Sequence, residues 1–295
     1  MGERRKILIW ALVSGAILTA FTAYVLLDAF VIERAFSSAR DTSSAPDAAC
    51  AESSANAYAD VEDAVIALST YRVHETTVYV ADVKAGNAAQ LRTALARDTY
   101  GRNITEKTSV TAQDHGALLA VNGDYYGSRR AGYVIRNGTV YRETVASADQ
   151  EDLCVFADGN MSIIREGDIS ARALADQGAV QVFSFGPALV EDGEIAVREN
   201  DEVGQAMVSN PRTAIAMIEP LHYLLIVADG RTDESAGLSL YELAAFCQEL
   251  GASVAYNLDG GGSSTMVLNG EIVNHPTTNG RRTSERAVSD IVYIR

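Results

Sequence analysis

The sequence predicts an α+β domain: a mixed β-sheet core rich in hairpins, with a few packed helices, preceded by one transmembrane helix. Three observations carry this reading. Four Asx-Gly pairs stand between strand-like runs: Asn137-Gly138, Asp158-Gly159, Asp192-Gly193 and Asn269-Gly270. Such pairs accept the positive φ that a two-residue hairpin turn demands. Helical patterns are few and scattered among the strands, as in α+β domains. Finally, an uncharged and mostly apolar run, Ile7 to Leu27, precedes everything else.

That run is long enough to cross a hydrocarbon core of ~30 Å as a helix. Arg4, Arg5 and Lys6 precede it and Asp28 ends it. Basic residues on the N-terminal side keep that side in the cytoplasm, which places the rest of the chain outside the cell. The run is long for the core of a cleaved signal peptide, and Asp28 to Glu33 make a poor small-residue cleavage site. No cysteine directly follows the run, which disfavours a lipoprotein anchor. Residues 1–36 therefore read as a basic flank and anchor. Residues 37–57, rich in Ser, Ala, Asp and Asn, read as a flexible linker. Residues 58–295 read as one large domain.

Within the domain the texture from Val65 is strand. Val78-Tyr79-Val80-Ala81-Asp82-Val83 is rich in β-formers. Asn87 to Ala96, with Leu91, Ala94 and Leu95 on one side, is a helix candidate, and Asp168 to Asp176 is another. Ser239-Leu240-Tyr241-Glu242 is a capping box, followed by Leu243, Phe246, Cys247 and Leu250 on one face and Gly251 as the stop.

The formal net charge is −15. Setting aside residues 1–36 removes four basic and three acidic side chains, so the remainder is one unit more acidic still. Such a surface repels nucleic acid and anionic lipid at long range. An anionic substrate would have to be held locally, by a few placed arginines and backbone donors. Cys50, Cys154 and Cys247 are too few for a disulfide framework. A Cys50–Cys154 bridge is open but not favoured, and Cys247 reads as a buried thiol. His74, His115, His222 and His275 lack metal-ligand spacing, so no metal or other cofactor is expected. There is no nucleotide P-loop and no G-x-S-x-G elbow.

Three apolar runs end in similar punctuation. Ala117 to Val121 leads to Asn122-Gly123-Asp124-Tyr125-Tyr126. Tyr223 to Val227 leads to Ala228-Asp229-Gly230-Arg231. Ser253 to Tyr256 leads to Asn257-Leu258-Asp259-Gly260-Gly261-Gly262-Ser263-Ser264. Runs of this kind suit strands buried on both faces. If the strands are neighbours, their polar ends form one pocket over an apolar floor. Three adjacent glycines lose much backbone entropy for a simple turn. Their expected use is to present backbone N–H groups to an anion. Arg129, Arg130, Arg212, Arg231 and Arg286 lie near these ends, and arginine is the planar fork suited to phosphate.

Together these motifs resemble the phosphodiester glycosidase family. The likeness rests on the stretch from Asn257 to Val267, on Asn122 to Tyr126, Ser184 to Leu189, Asn210 to Ile215, Ala228 to Arg231, and Arg286 to Asp290. It extends over roughly residues 65–295. The cysteine-rich modules of the eukaryotic members are missing from this chain. The resemblance implies hydrolysis of a sugar-1-phosphodiester, releasing the sugar and a phosphomonoester. Asp259 is the first choice for the catalytic carboxylate, with Asp124 and Asp229 as the other candidates. Asn122, Arg212, Arg231, Gly260, Gly261, Gly262, Ser263, Ser264 and Arg286 are the expected substrate-binding residues. Location outside a membrane points to cell-surface or exopolysaccharide sugar-phosphate as substrate. Two alternatives stand beside this reading. One is a metal-assisted phosphodiesterase in which Asp124, Asp229 and Asp259 hold a divalent cation. The other is a non-catalytic module that binds wall polymers.

Overall fold

The computed structural model describes residues 3–35, 64–199, 201 and 209–295. The expected linker, 37–57, and Cys50 lie outside the described residues. Among the described residues there are three larger sheets, one two-stranded sheet and four α-helices. The helices are α1 (Glu3–Phe30), α2 (Thr108–Asp114), α3 (Ala171–Asp176) and α4 (Leu240–Glu249).

The seven-stranded sheet I runs in the order Glu194–Ile195, Ala188–Glu191, Val254–Asn257, Arg212–Glu219, His222–Ala228, Thr76–Lys84, Val65–Val73. Sheet II has the order Glu271–Ile272, Met266–Leu268, Leu119–Asn122, Asp290–Ile294, Leu91–Leu95. Sheet III has the order Met161–Arg165, Glu151–Phe156, Ala179–Phe183, Val134–Arg136, Thr139–Arg142. The α+β character is as expected. Where the sequence suggested sheets of mixed direction, every pairing among the described strands is antiparallel. Many neighbouring strands are joined by tight hairpin turns, which link only antiparallel neighbours.

All four Asx-Gly pairs sit at such turns. Asn137-Gly138, Asp192-Gly193 and Asn269-Gly270 have both residues at positive φ, and Gly159 takes φ +85° beside Asp158. Sheet I is covered on both faces, and its pleat divides the side chains between two cores. Val80, Ala214, Leu224 and Ile226 pack on Leu243, Phe246 and Cys247 of α4. Their neighbours Ala81, Ile215, Leu225 and Val227 pack on Leu119, Val121 and Val292 of sheet II and on Leu153 and Phe183 of sheet III. Double coverage explains why these strands read as continuous apolar runs.

The capping box forms as read: Ser239 Oγ accepts from Glu242 N at 3.2 Å, and Glu242 Oε2 accepts from Ser239 N at 2.8 Å. Cys247 is buried in the second core, and burial pushes its thiol up to about 12. The helix expected over Asn87–Ala96 is not there. Asn87 and Gln90 cap a single 3-10 turn, Ala88–Gln90, and Leu91–Leu95 then pairs with Asp290–Ile294 as an edge strand. Long-range pairing outweighs a weak local pattern. No capping signal announces α2, whose cap position is Lys107 and carries no side-chain cap bond.

The expected anchor falls in α1. Its described side chains from Trp10 to Leu27 are exposed, apolar ones included. Among the described residues no helix is long and apolar enough to cross a membrane. The side chains of residues 3–9 and 11, the first part of the apolar run, lie outside that description. The far end of α1 is tied to the domain. Arg34–Ala35 pairs with Gly101–Arg102, and Asn103 Nδ2 donates to the carbonyls of Asp28 at 3.3 Å and Ile32 at 2.9 Å.

One buried acid sets a pH dependence. Asp152, in Glu151–Phe156, is fully buried next to Glu166. Burial first, then the Glu166 charge, push its carboxyl up to about 9. A carboxyl raised in the folded state contributes stability that is complete below its unfolded pKa of about 3.9 and is lost as pH rises through 9. Asp152→Asn replaces the protonated acid by a neutral amide. Urea unfolding should therefore show the variant gaining on the parent between pH 5 and pH 9. Parallel midpoints across that range would contradict a buried neutral Asp152.

Candidate active site

The three punctuated strand ends do meet. Asn122, fully buried, is the brace. Its Nδ2 donates to Asp259 O at 2.6 Å, and its Oδ1 accepts from Thr213 Oγ1 at 2.8 Å and Thr265 N at 3.3 Å. Asp259 N donates to Gly123 O at 3.2 Å. Asn274 Nδ2 then bridges Ser264 O at 3.0 Å and Asp229 Oδ1 at 3.1 Å, bringing in the third strand end. Asn122 thus holds the site together from beneath, with its amide engaged by groups of the protein itself.

At the rim stands an ion pair. Arg286 Nη2 lies 3.2 and 3.0 Å from the two Asp259 oxygens and 3.0 Å from Gly260 O. Arg286 Nε donates to Ser263 Oγ at 2.8 Å. Asp259 is nearly buried, and burial raises its pKa against the lowering effect of Arg286 and of hydrogen bonds from Ser263 and Gly260. Arg231 lies alongside. Its Nε and Nη2 donate to Asn210 Oδ1 at 3.2 and 2.9 Å, and its Nη1 donates to Thr278 O. Burial lowers the Arg231 pKa, and the positive charges of Arg286 and Arg212 lower it further. Arg231 therefore feels the positive charge of both Arg286 and Arg212. Arg212 is the innermost, buried, with Nε donating to Leu238 O at 2.8 Å.

The glycine triplet works differently from the anion nest expected of it. Gly261 N donates to Pro211 O at 2.8 Å, Ser263 N to Gly260 O at 3.3 Å and Ser264 N to Gly261 O at 3.1 Å. The Gly261 donor is spent on Pro211, and those of Ser263 and Ser264 are spent within the loop. What the glycines provide is closeness. A Cβ on Gly260 would lie 2.8 Å from Pro211 O, one on Gly262 2.3 Å from Thr278 Oγ1, and one on Gly261 3.0 Å from Arg231 Nη2. Gly261 also takes φ +62°, which only glycine adopts freely. The loop thus lets the Asn210–Arg212 segment and the 274–283 loop press against Asp259. Ser264 is fully buried and faces inward.

Asp229 lies at the bottom of an adjoining cleft of about 580 Å³, lined also by Tyr79, His275 and Arg281. Its Oδ1 accepts from His275 N at 2.9 Å and its Oδ2 lies 3.1 Å from His275 Nδ1. Sequence reading passed over His275, which sits alone in an Asn-His-Pro turn, 46 positions from its partner. Asn210, the anchor for Arg231, stands in the Asn210–Ile215 motif of the resemblance but has no role of its own in the sequence.

Asp124 takes no place at this rim. It is buried, accepts from Ser184 N at 2.9 Å and Tyr126 N at 3.2 Å, and pairs with Arg136 Nη2 at 2.8 Å. Arg136 Nε meets Asp290 Oδ2 at 2.8 Å on its other side. Burial of Arg136 opposes its charge, but the two carboxylates outweigh this and hold its pKa above the usual range. The oxygen-ligand set imagined for a divalent cation does not assemble: Asp124 is bound to Arg136, Asp259 to Arg286, and Asp229 to His275. Among the described residues no group of three His, Cys, Asp or Glu side chains is arranged to hold a metal.

A family model described as phosphodiester glycosidase matches residues 115–295, more than half of the chain and all of the site just described. The chain belongs to the phosphodiester glycosidase family. Mouse N-acetylglucosamine-1-phosphodiester alpha-N-acetylglucosaminidase is 30% identical over 207 residues, 65% of this chain and 37% of that protein. A prophage-derived uncharacterized protein of Bacillus subtilis (strain 168) is 28% identical over 199 residues, 66% of this chain and 30% of its own length. The chain thus spans about a third of the curated relatives it matches. In fold it is similar to the catalytic domain of the zebrafish N-acetylglucosamine-1-phosphodiester alpha-N-acetylglucosaminidase, with a TM-score of 0.61 at 22% identity over 79% of this chain and 83% of that one.

Within this phosphodiester glycosidase domain the roles of Asp124 and Asp259 separate by experiment. Removing one partner of a buried ion pair costs ~3–5 kcal/mol. Asp124→Asn should lower the urea unfolding free energy by about that much, as it leaves Arg136 under-compensated. An unchanged unfolding midpoint would rule out the structural role given to Asp124.

Proposed function

We propose that this protein hydrolyses sugar-1-phosphodiesters at the Asp259–Arg286 rim, cleaving the bond between the anomeric carbon and the phosphate oxygen. The observation that carries the proposal is the crowding of Arg231, Arg286 and Arg212 beside Asp259. Like charges packed together are costly unless an anion joins them. A phosphodiester supplies that anion, and planar guanidinium forks suit its oxygens. On binding, phosphate competes with Asp259 for Arg286 Nη2. Asp259 then faces the sugar with a carboxylate made more basic by burial. It takes a proton from water as the water oxygen bonds to the anomeric carbon. The bonding pair of the broken C–O bond leaves with the phosphate, where the arginines stabilise the added charge. The products are the free sugar and a phosphomonoester. Asp229 orients the His275 ring in the neighbouring cleft, where it lines the path of the substrate.

The full chain reads as a membrane-anchored enzyme acting outside the cell on surface or exopolysaccharide sugar-phosphate. Ile7–Leu27 supports this, being uncharged, helical and apolar on all sides of α1: Trp10, Leu12, Ile17, Leu18 and Leu26 are all exposed. A helix apolar all round belongs in a protein core or in a bilayer.

Incubating the protein with a sugar-1-phosphodiester should release free sugar and a phosphomonoester, identified by mass spectrometry. Phosphate left on the sugar would defeat the proposed bond cleavage and favour P–O chemistry. Asp259→Asn should lower kcat by a factor of about 10² or more while the fold is retained, the scale of a lost general base. Full turnover by that variant would remove Asp259 from the chemistry. For the topology, protease added to intact protoplasts should digest the domain, and complete protection would place it inside.

A further inference from the structure

A second concentration of positive charge lies away from Asp259. A pocket of about 360 Å³ is lined by Arg34, Arg102, Arg129, Arg130 and Arg142, with Tyr100 and Tyr141 in its walls. Five guanidinium groups share this one pocket in a chain of formal charge −15. Mutual repulsion opposes such a group unless something negative occupies its centre.

One carboxylate of the chain, Asp28, meets three of the five. It pairs with Arg34, lies 3.1 Å from Arg130 Nη2 and is 3.8 Å from Arg102 Nη1. Arg129 and Arg142 are held by carbonyl oxygens. Arg129 Nη1 donates to Ser184 O at 2.8 Å, and its guanidinium lies 5.0 Å from the centre of the Phe185 ring. Arg142 Nη1 donates to Tyr126 O at 3.0 Å and Arg129 O at 2.8 Å, and its Nε donates to Gly132 O. Neutral carbonyls fix these side chains without cancelling their charge. Buried Arg142 Nη2 and Arg102 Nε have no hydrogen-bond partner. Burial, and secondarily the charges of Arg136 and Arg129, lower the Arg142 pKa against the opposing pull of Tyr100 and Asp124. Rigid charges, spare buried donors and one carboxylate in direct contact with the group describe a site built for an added anion.

We propose that this pocket binds the phosphate of a phosphomonoester group, separately from the Asp259 site. The tetrahedral dianion offers oxygens to several forks at once, which a second carboxylate could not. The pocket opens where α1 ends, since Asp28 O accepts from Arg102 Nη2 and Asn103 Nδ2. A phosphate on a lipid headgroup beside α1 is therefore the favoured source, and a soluble phosphate ester is the other. Asp28 acts as the resident counter-ion, which the incoming phosphate partly displaces.

The test uses the full chain in a neutral detergent and isothermal titration calorimetry. The probes are short-chain phosphatidic acid in mixed micelles, glycerol 3-phosphate in solution, and phosphatidylcholine as the control lacking a monoester. Saturable binding of phosphatidic acid is expected. Arg130→Gln should weaken it about tenfold, and Asp28→Asn should strengthen it by a similar factor, as expected for a charged hydrogen bond lost or a competing charge removed. Arg130 has 72% of its side chain exposed, so its change leaves folding intact. Binding of phosphatidic acid alone identifies a lipid source, and equal binding of glycerol 3-phosphate identifies a soluble one; either supports the site. The proposal is overturned if no phosphomonoester binds saturably, or if neither variant moves the affinity. It is also overturned if Arg231→Gln abolishes binding while Arg130→Gln does not, because the anion then sits at the other group of arginines.

Discussion

The site rests on the buried ion triad of Asp124, Arg136 and Asp290. Arg136 belongs to sheet III, Asp290 to sheet II, and Asp124 to the loop that leaves sheet II toward the Asp259–Arg286 rim. One guanidinium therefore locks two sheets and a site loop in a fixed relation. Gly123 lets the lock close: its N–H donates to Asp290 O, and a Cβ there would fall 2.1 Å from Asp290 Oδ1. Taking three charges out of water is expensive, and a well-packed apolar cluster would be as stable. What the ions add is direction. Each oxygen and each nitrogen has one place to be, so Gly123 O is set where it receives Asp259 N.

From that base the chemistry is assembled by packing. The glycine loop contributes little free hydrogen-bonding capacity. By removing side chains it allows Pro211, Thr278 and Arg231 to converge on Asp259. Charge then comes from arginines borne on three separate segments: Arg231 is held by Asn210, Arg212 reaches Leu238 O, and Arg286 is held by Ser263 and by the Asp259 carboxylate. The neutral acceptors of Arg231 leave its positive charge available for a ligand. In an acidic protein, this confines anion affinity to a few points and leaves the rest of the surface repulsive.

What was legible in the sequence was what a few adjacent residues decide. The hairpin turns follow from Asx-Gly pairs, and α4 follows from the Ser239–Glu242 box. The convergence of three strand ends could be suspected because each run ended alike, though only Asn122 and Asn274 show how they are joined. Legibility failed where distant partners decide. Leu91–Leu95 is a strand because Asp290–Ile294 pairs with it. Asp124 is a structural acid because Arg136 reaches it. His275 gains a role only beside Asp229. The glycine triplet marks a close approach, and the groups that approach it here are Pro211, Arg231 and Thr278 of the chain itself.

Sheet II has a further consequence for how the molecule comes together. Its central strands, Leu119–Asn122 and Asp290–Ile294, flank a long excursion of chain that builds sheet III and most of sheet I before returning. Arg136 and Asp290 are 154 positions apart. Closing so long a loop gives up much chain entropy before any contact repays it, and folds dominated by such pairings form slowly. The hairpins can zip early and independently. Asp259 acquires its setting only when the clasp shuts, so an ordered Asp259–Arg286 rim is expected late in folding, as a mark that the whole domain is complete.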